Sequence, residues 1–350
     1  MKFSYQSLQN AIADVLKQKG IHEDDAKWVA YCLVETESRG VYSHGVHLIG
    51  TYMKGLKHKV TNPDAKIEIV SDSPCAVRID GHSGMGQCVM RDVTDLIIER
   101  ARQYGCAAAS VTHTAHFGAG LIYARRAIDA GMIVTLHCNA PSMLAPFGAK
   151  KPYFGTNPIT YGMPAGKLPP FLLDMASSMG AANKLLVFKS EGKPAPAGWG
   201  IDRDGNPSTD PEEIFYHGAL SPFGGVKGSG LAGWVGMLST LPCGAAYAPG
   251  EVKARNDVGE VPNFGVYMQL TDVSKFMPID EFRERADEYL GGWLALPPAK
   301  EGGRVLYPGY LEEERSNAAK QNGIELLEST EADLRRACTS VGLNLDDYLD

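Results

Sequence analysis

The sequence predicts an α/β protein that opens in a run of helices. Three observations lead there. Apolar residues recur at helical spacing from Leu8 to Leu56. From Lys66 to Cys138 the pattern changes, and short apolar runs alternate with longer amphipathic ones. Strand, helix, strand, helix, strand is the order of a sheet covered by helices. Finally, 350 residues at 44% hydrophobic and 21% charged make an ordinary globular composition, long enough for two domains.

In the first helix, Leu8, Ile12, Val15 and Leu16 share a face, with Ser4 as N-cap and Gly20 just past the end. A second helix carries Ala26, Val29, Ala30, Leu33 and Val34. A third starts near Ser43 and sets Val46, Ile49, Tyr52, Met53 and Leu56 on one side. Lys66 to Val70 and Ala76 to Ile79 read as strands, and Gln87 to Gln103 as a helix with Val89, Val93, Leu96, Ile97 and Ala101 inward. A strand from Ala107 to Val111, a helix from Gly118 to Ala130 and a strand from Met132 to Cys138 follow. Proline, glycine and asparagine then mark Asn139 to Pro170 as loops with short strands, and Gly192 to Asp210 as loop. Gly228 to Leu241 is apolar enough for a buried helix, Pro297 to Gly303 suits a linker, and Leu311 to Leu349 reads as solvated helices.

The net charge of −7, with no block of lysine and arginine, argues against nucleic acid or an anionic membrane as partner. No apolar run reaches the length of a membrane span, and Met1 to Tyr5 lacks a signal-peptide core. The seven cysteines are widely spaced, odd in number and without a C-x-x-C pair, so they read as reduced thiols. The expectation is a cytoplasmic protein acting on a small molecule.

Chemistry concentrates in Ser38-Arg39-Gly40-Val41-Tyr42-Ser43-His44-Gly45. It sets an arginine, a hydroxyl and an imidazole between glycines. Two H-x-x-H pairs occur, His44 with His47 and His113 with His116. A metal-dependent hydrolase would use such pairs. Zinc needs three well-placed protein ligands, however, and neither pair has the glutamate of H-E-x-x-H or an evident carboxylate partner. Proton transfer by an imidazole is the better reading, with no metal. Gly81-His82-Ser83-Gly84-Met85-Gly86 lies between a strand and a helix, but Val89 stands where a dinucleotide fingerprint has its third glycine. It reads as a tight turn, not a Rossmann loop. Gly224-Gly225-Val226-Lys227-Gly228-Ser229-Gly230 is denser, and bare N–H groups with one cation before a helix suit a pyrophosphate or nicotinamide-side contact. Leu172-Leu173-Asp174-Met175-Ala176-Ser177-Ser178 reads as a strand ending in small polar residues, or as a strand end with a capping aspartate.

Taken in order with Gly84-Met85-Gly86-Gln87 and Phe154-Gly155-Thr156-Asn157-Pro158, these segments resemble the malate/L-lactate dehydrogenase family. This family is unrelated to the Rossmann-type lactate dehydrogenases, and includes ureidoglycolate and sulfolactate dehydrogenases, diketogulonate reductases and piperideine-carboxylate reductases. The resemblance spans nearly the whole chain. It implies an α/β core with non-classical dinucleotide binding, residues 73–304, and a helical domain built from residues 1–72 and 305–350. It also implies a homodimer with the active site near the interface. The implied reaction is hydride transfer between NAD or NADP, NAD ahead, and a carbonyl or hydroxyl of a small polar 2-hydroxy or 2-oxo acid. Tyr307-Pro308-Gly309 and Gly323-Ile324-Glu325 look like the ureidoglycolate branch, and a cyclic imine is the alternative substrate.

Residue by residue, His116 matches the proton acceptor of the ureidoglycolate branch, and His44, beside Ser43, the proton donor proposed for the diketogulonate branch. The sequence leaves both open. Ala140, Asp174, Met175, Ala176, Gly224, Gly225, Lys227, Leu306, Tyr307 and Pro308 match segments that approach the cofactor. Val226 and Ser229 replace two family tyrosines, and Ala140 a serine. In the family pattern Ser-His-Gly-x-x-Arg the arginine is expected to hold the substrate carboxylate. Here that position is Leu48, which leaves His47, Tyr52 and Arg39 as the other substrate-binding candidates.

Overall fold

A computed structural model of the chain describes residues 2–247, 249–252 and 260–349. In chain order the elements are β1 (Lys2–Phe3), α1 (Tyr5–Lys17), α2 (Glu23–Ser38), α3 (Ile49–Lys57), β2 (Glu68–Ser73), β3 (Ala76–Gly84), α4 (Gly86–Tyr104), β4 (Cys106–Thr114), α5 (Gly120–Asp129) and β5 (Met132–Cys138). Next come β6 (Ile159–Met163), β7 (Phe171–Met175), α6 (Ala182–Ser190), β8 (Gly200–Ile201), β9 (Pro207–Ser208), α7 (Pro211–Tyr216), β10 (Ala219–Leu220) and α8 (Val226–Thr240). The chain closes with β11 (Phe264–Asp272), α9 (Ile279–Leu294), α10 (Tyr310–Asn322), β12 (Ile324–Glu325) and α11 (Glu328–Thr339).

The large sheet runs β2-β3-β4-β11-β5-β6-β7. Only β3 and β4 pair in parallel; the other neighbours are antiparallel. The alternating strands and helices of the sequence are therefore present, but they do not lie side by side in an all-parallel sheet. β11, which local patterning did not single out, separates β4 from β5. Its Val266, Met268 and Leu270 are buried while Tyr267, Gln269 and Thr271 are more open, the period of a strand. Helices α4 and α5 pack on β4 and β5, and bury Val93, Ile97, Leu121, Tyr123 and Ile128 against Val111, Val134 and Leu136.

A second apolar cluster joins the two ends of the chain. Phe3, Leu8, Ile12, Leu16, Leu33 and Ile49 pack with Leu334, Cys338 and Leu345. β1 pairs with β12 through Phe3 and Ile324. Ser4 caps α1 as its sequence suggests, its hydroxyl accepting the Ser7 N–H at 3.1 Å. The third helix begins later than Ser43. Tyr42–His44 and Val46–Leu48 form separate 3₁₀ turns about Gly45, and regular helix starts only at Ile49. Helix α8 is covered on one side only: Ala232 and Val235 are buried, while Leu231, Trp234, Met237 and Leu241 face outward. Among the described residues no helix is long and apolar enough to cross a membrane.

Candidate active site

His116 lies in the short connection between β4 and α5. Gly86, the first residue of α4, leans on the backbone of this connection; a Cβ there would overlap the carbonyls of Ala115 and His116. That contact accounts for the Gly-Met-Gly-Gln motif. It closes the strand-to-helix turn, in which Met85 alone separates β3 from α4, and brings α4 against the His116 backbone. From α3, the Tyr52 hydroxyl comes within 3.0 Å of His116 Nδ1. The Gly118 N–H donates to the same nitrogen at 3.3 Å. The buried Gln87 amide and the Tyr52 hydroxyl both flank Gly118. Gln87 was noted in the sequence only as part of a turn motif.

His44 stacks on His116, with ring centroids 5.7 Å apart and 22° between planes. Its Nδ1 is 2.9 Å from the Ser43 hydroxyl. His47 Nε2 donates to the Ser43 carbonyl at 2.8 Å, so this ring braces the loop. Burial, then the neighbouring His47, holds His44 down to about 4. Burial, then His44 and His47, holds His116 down to about 3. Both imidazoles are neutral at pH 7.

The cofactor candidates gather along β7 and the segments beside it. Leu172 N–H donates to the Pro308 carbonyl at 3.1 Å, which seats Leu306, Tyr307 and Pro308 beside Phe171–Met175. Ser177 N–H reaches the Thr156 carbonyl at 2.8 Å, and Phe223 N–H reaches the Ser177 carbonyl at 3.1 Å, so Gly224 and Gly225 follow directly. Ala140, with Asn139, Gly155 and Asn157, lines an apolar cavity of about 250 Å³ against α8. Asp174 ties this region to the start of α5: its carboxylate accepts the N–H of Leu121.

Does this region suit an anionic dinucleotide? The N-terminus of α8 has no side-chain cap and no acid in its first turn. Gly224 and Gly225 have φ of 60° and 64°, and no atom stands within 4 Å of where a Gly224 Cβ would be. Lys227 is exposed beside them. Free N–H groups, open space and a cation fit a phosphate group.

Other candidates are placed elsewhere. All three guanidinium nitrogens of Arg39 are committed to carboxylates: Nε and Nη2 to Glu35 at 2.9 and 2.6 Å, and Nη1 to Glu313 at 2.9 Å. It is 3% exposed and fastens α2 to α10, a structural place rather than one free for a substrate carboxylate. Leu48 is buried in the helical cluster. The H-x-x-H pairs bring His44 onto His116 but not into a metal site. His113 turns to Asp80 at 2.8 Å, and among the described residues no group of three His, Cys, Asp or Glu gathers as a metal site.

The fold and this site together define a dehydrogenase without a Rossmann domain. A family model described as malate/L-lactate dehydrogenase matches residues 3–335. The L-sulfolactate dehydrogenase of Methanocaldococcus jannaschii is 35% identical over 339 residues, covering 97% of each chain. A solved sulfolactate dehydrogenase structure from that organism matches with a TM-score of 0.93 at 34% identity, covering 100% of both chains. Ureidoglycolate dehydrogenase (NAD(+)) of Escherichia coli is 28% identical over 328 residues, 94% of this chain and 93% of that one. The chain belongs to the malate/L-lactate dehydrogenase family, and is an oxidoreductase of the nicotinamide-dependent kind.

Proposed function

We propose that this enzyme interconverts a small polar 2-hydroxy acid and its 2-oxo acid, with NAD as cofactor ahead of NADP. The observation that carries the reading is the stacked pair of neutral imidazoles, His44 and His116, each with a hydroxyl on Nδ1. Lys227 and the uncapped N–H groups at the start of α8 would hold the dinucleotide phosphates. The backbone of Ala140, Met175, Ala176 and Leu306 to Pro308 would line its remainder. When bound, the dinucleotide supplies the hydride acceptor or donor.

The two histidines divide the work. Nδ1 of His116 receives the Gly118 N–H and the Tyr52 hydroxyl, which keeps its lone pair there and its proton on Nε2. His116 therefore offers a neutral N–H to the substrate oxygen, as an electrophile. His44 faces the Ser43 hydroxyl, which either donates or accepts, so both tautomers are accommodated. His44 is the group that takes the hydroxyl proton in oxidation and returns it in reduction.

Leu48 supplies no charge, so the substrate carboxylate falls to the Ser43 hydroxyl and to N–H groups of that loop. A fixed guanidinium would be the stronger anchor. Weak activity on malate and lactate is expected. Ureidoglycolate stays within the substrate class, and the higher identity to the M. jannaschii enzyme adds sulfolactate.

The test is a panel of malate, lactate, sulfolactate, ureidoglycolate and piperideine-2-carboxylate with both cofactors, followed by the absorbance of reduced nicotinamide. Turnover of a hydroxy acid supports the reading. Faster turnover of the imine than of every hydroxy acid replaces it, and failure to bind either dinucleotide ends it.

A homodimer belongs to the same proposal. Leu231, Trp234, Met237 and Leu241 form an outward apolar face of the kind a second copy covers, and light scattering measures it. All seven cysteines are free, which suits a reducing cytoplasm.

A further inference from the structure

We propose that Glu37 is a positioning residue for His44, its carboxyl group shaping the Ser43–Val46 loop from behind. The inference rests on the reading of His44 as proton carrier.

Glu37 sits in the last turn of α2 and is 2% exposed. Its Oε2 accepts the Val46 N–H at 2.9 Å, at the start of the second 3₁₀ turn. Gly45 lies flat against the same oxygen, and a Cβ at that position would overlap Oε2. The glycine after His44 is thus required by Glu37. The carboxyl and the loop backbone fit as one piece, and the direction in which His44 leaves the loop follows from it.

Oε1 is buried and has no hydrogen-bond partner among the described residues. A buried orphan acceptor is rare in a folded chain and needs an explanation. Among the described residues no cation offsets it. On its own helix, Arg39 is turned to Glu35 and Glu313. On the loop side the titratable groups are Tyr42, His44 and His47, and His47 Nε2 is committed to the Ser43 carbonyl. Across the groove, Arg315 of α10 is exposed. Burial, offset only by the Val46 N–H, pushes Glu37 up to about 7. The group that shapes the loop therefore changes charge near pH 7.

The folded protein holds a proton on Glu37 that the unfolded chain releases above its ordinary value of 4.5. The stability this contributes is full below 4.5 and is lost as pH rises through about 7.

The experiment compares wild type, Glu37→Gln and Glu37→Ala across pH 3 to 9. It records melting temperature, kcat and KM on the best substrate of the panel, NADH affinity, and the ring titration of His44 by NMR, assigned with His44→Gln. Glu37→Gln keeps an acceptor for Val46 but cannot ionise. It should abolish the loss of melting temperature near pH 7 and retain kcat within about threefold, with its inflection near pH 7 gone. Glu37→Ala should lower kcat about tenfold or more, leave NADH affinity unchanged and move the His44 titration. The glutamine variant then serves as the conservative rescue. Wild-type pH dependence in Glu37→Gln, or unchanged kcat and His44 titration in Glu37→Ala, overturns the proposal. Should no panel substrate turn over, the functional reading fails. The His44 titration and the melting profile still decide the role of Glu37 in the loop.

Discussion

The carboxylate of Asp174 accepts the N–H of Leu121 at 2.9 Å and the Thr160 hydroxyl at 2.9 Å. A residue at the end of β7 thus caps α5, a helix that begins far earlier in the chain. Burial is the main influence on its pKa and raises it. With both oxygens engaged, a cofactor bound here would meet the backbone of Met175 and Ala176 rather than this carboxylate. Asp174→Ala should cost about 1–3 kcal/mol, the penalty for unpaired donors at a helix start. Urea denaturation measures it. Asp174→Asn, which keeps one acceptor, should lose less. Equal stability of all three proteins would remove the cap.

Lys227 gives the contrasting case, since it is exposed beside an uncapped helix. Lys227→Ala should weaken NADH binding by about 1–3 kcal/mol, the range for a charge-assisted contact. The melting temperature without cofactor should not move. A fluorescence titration with unchanged affinity would take this loop out of the cofactor site.

Arg39 separates stability from binding. Its replacement by alanine leaves Glu35 with Lys320 as its cation, beside the Tyr5 and Ser316 hydroxyls, and Glu313 with Arg125. Breaking a buried pair from one side costs roughly 3–5 kcal/mol. The variant should unfold at lower denaturant while its KM for the hydroxy acid is retained. A large rise in KM without loss of stability would return Arg39 to the substrate.

Acid should unfold the protein partly through its histidines. His44 and His116 sit at about 4 and about 3 in the fold, against an ordinary 6.5. The unfolded chain takes up these protons first, so the stability is full above 6.5 and is lost as pH falls toward 4 and below. At about 1.4 kcal/mol per pH unit, the pair contributes on the order of a few kcal/mol between pH 7 and pH 4. Denaturation of His44→Gln/His116→Gln over that range should show a flatter profile than wild type. An identical profile would mean the rings titrate normally.

Local pattern explains which parts were legible in the sequence. Helices α1, α2, α4 and α5 and strands β3, β4 and β5 each carry an apolar period that a window of residues reveals. The family's motifs marked the segments that now meet around His116 and the end of β7. What stayed hidden depends on distant partners. Arg39 reads either as a substrate anchor or as a tie between the helical segment and the core, and only its pairing with Glu35 and Glu313 favours the tie. Glu37 carries no local signal of its own, and only the fit of Gly45 against it marks its place. The segment ending in Gly86 reads as a tight turn, and what its local sequence does not show is the close packing on the Ala115 and His116 carbonyls. The third helix appeared to start at Ser43 because its apolar spacing continues through the 3₁₀ turns.

The position of β11 has a consequence for how this chain acquires its shape. Tyr267 pairs with Ser110 on one side and with His137 on the other. Until the ribosome has released β11, β4 and β5 have no partner between them and the sheet exists as two halves with open edges. Contacts of such long sequence separation form slowly, and unpaired edges invite pairing with other chains. Nascent or truncated chains that stop short of Phe264 should be held by chaperones or aggregate, and the complete chain should refold slowly from denaturant. The middle of the sheet is the last part to arrive.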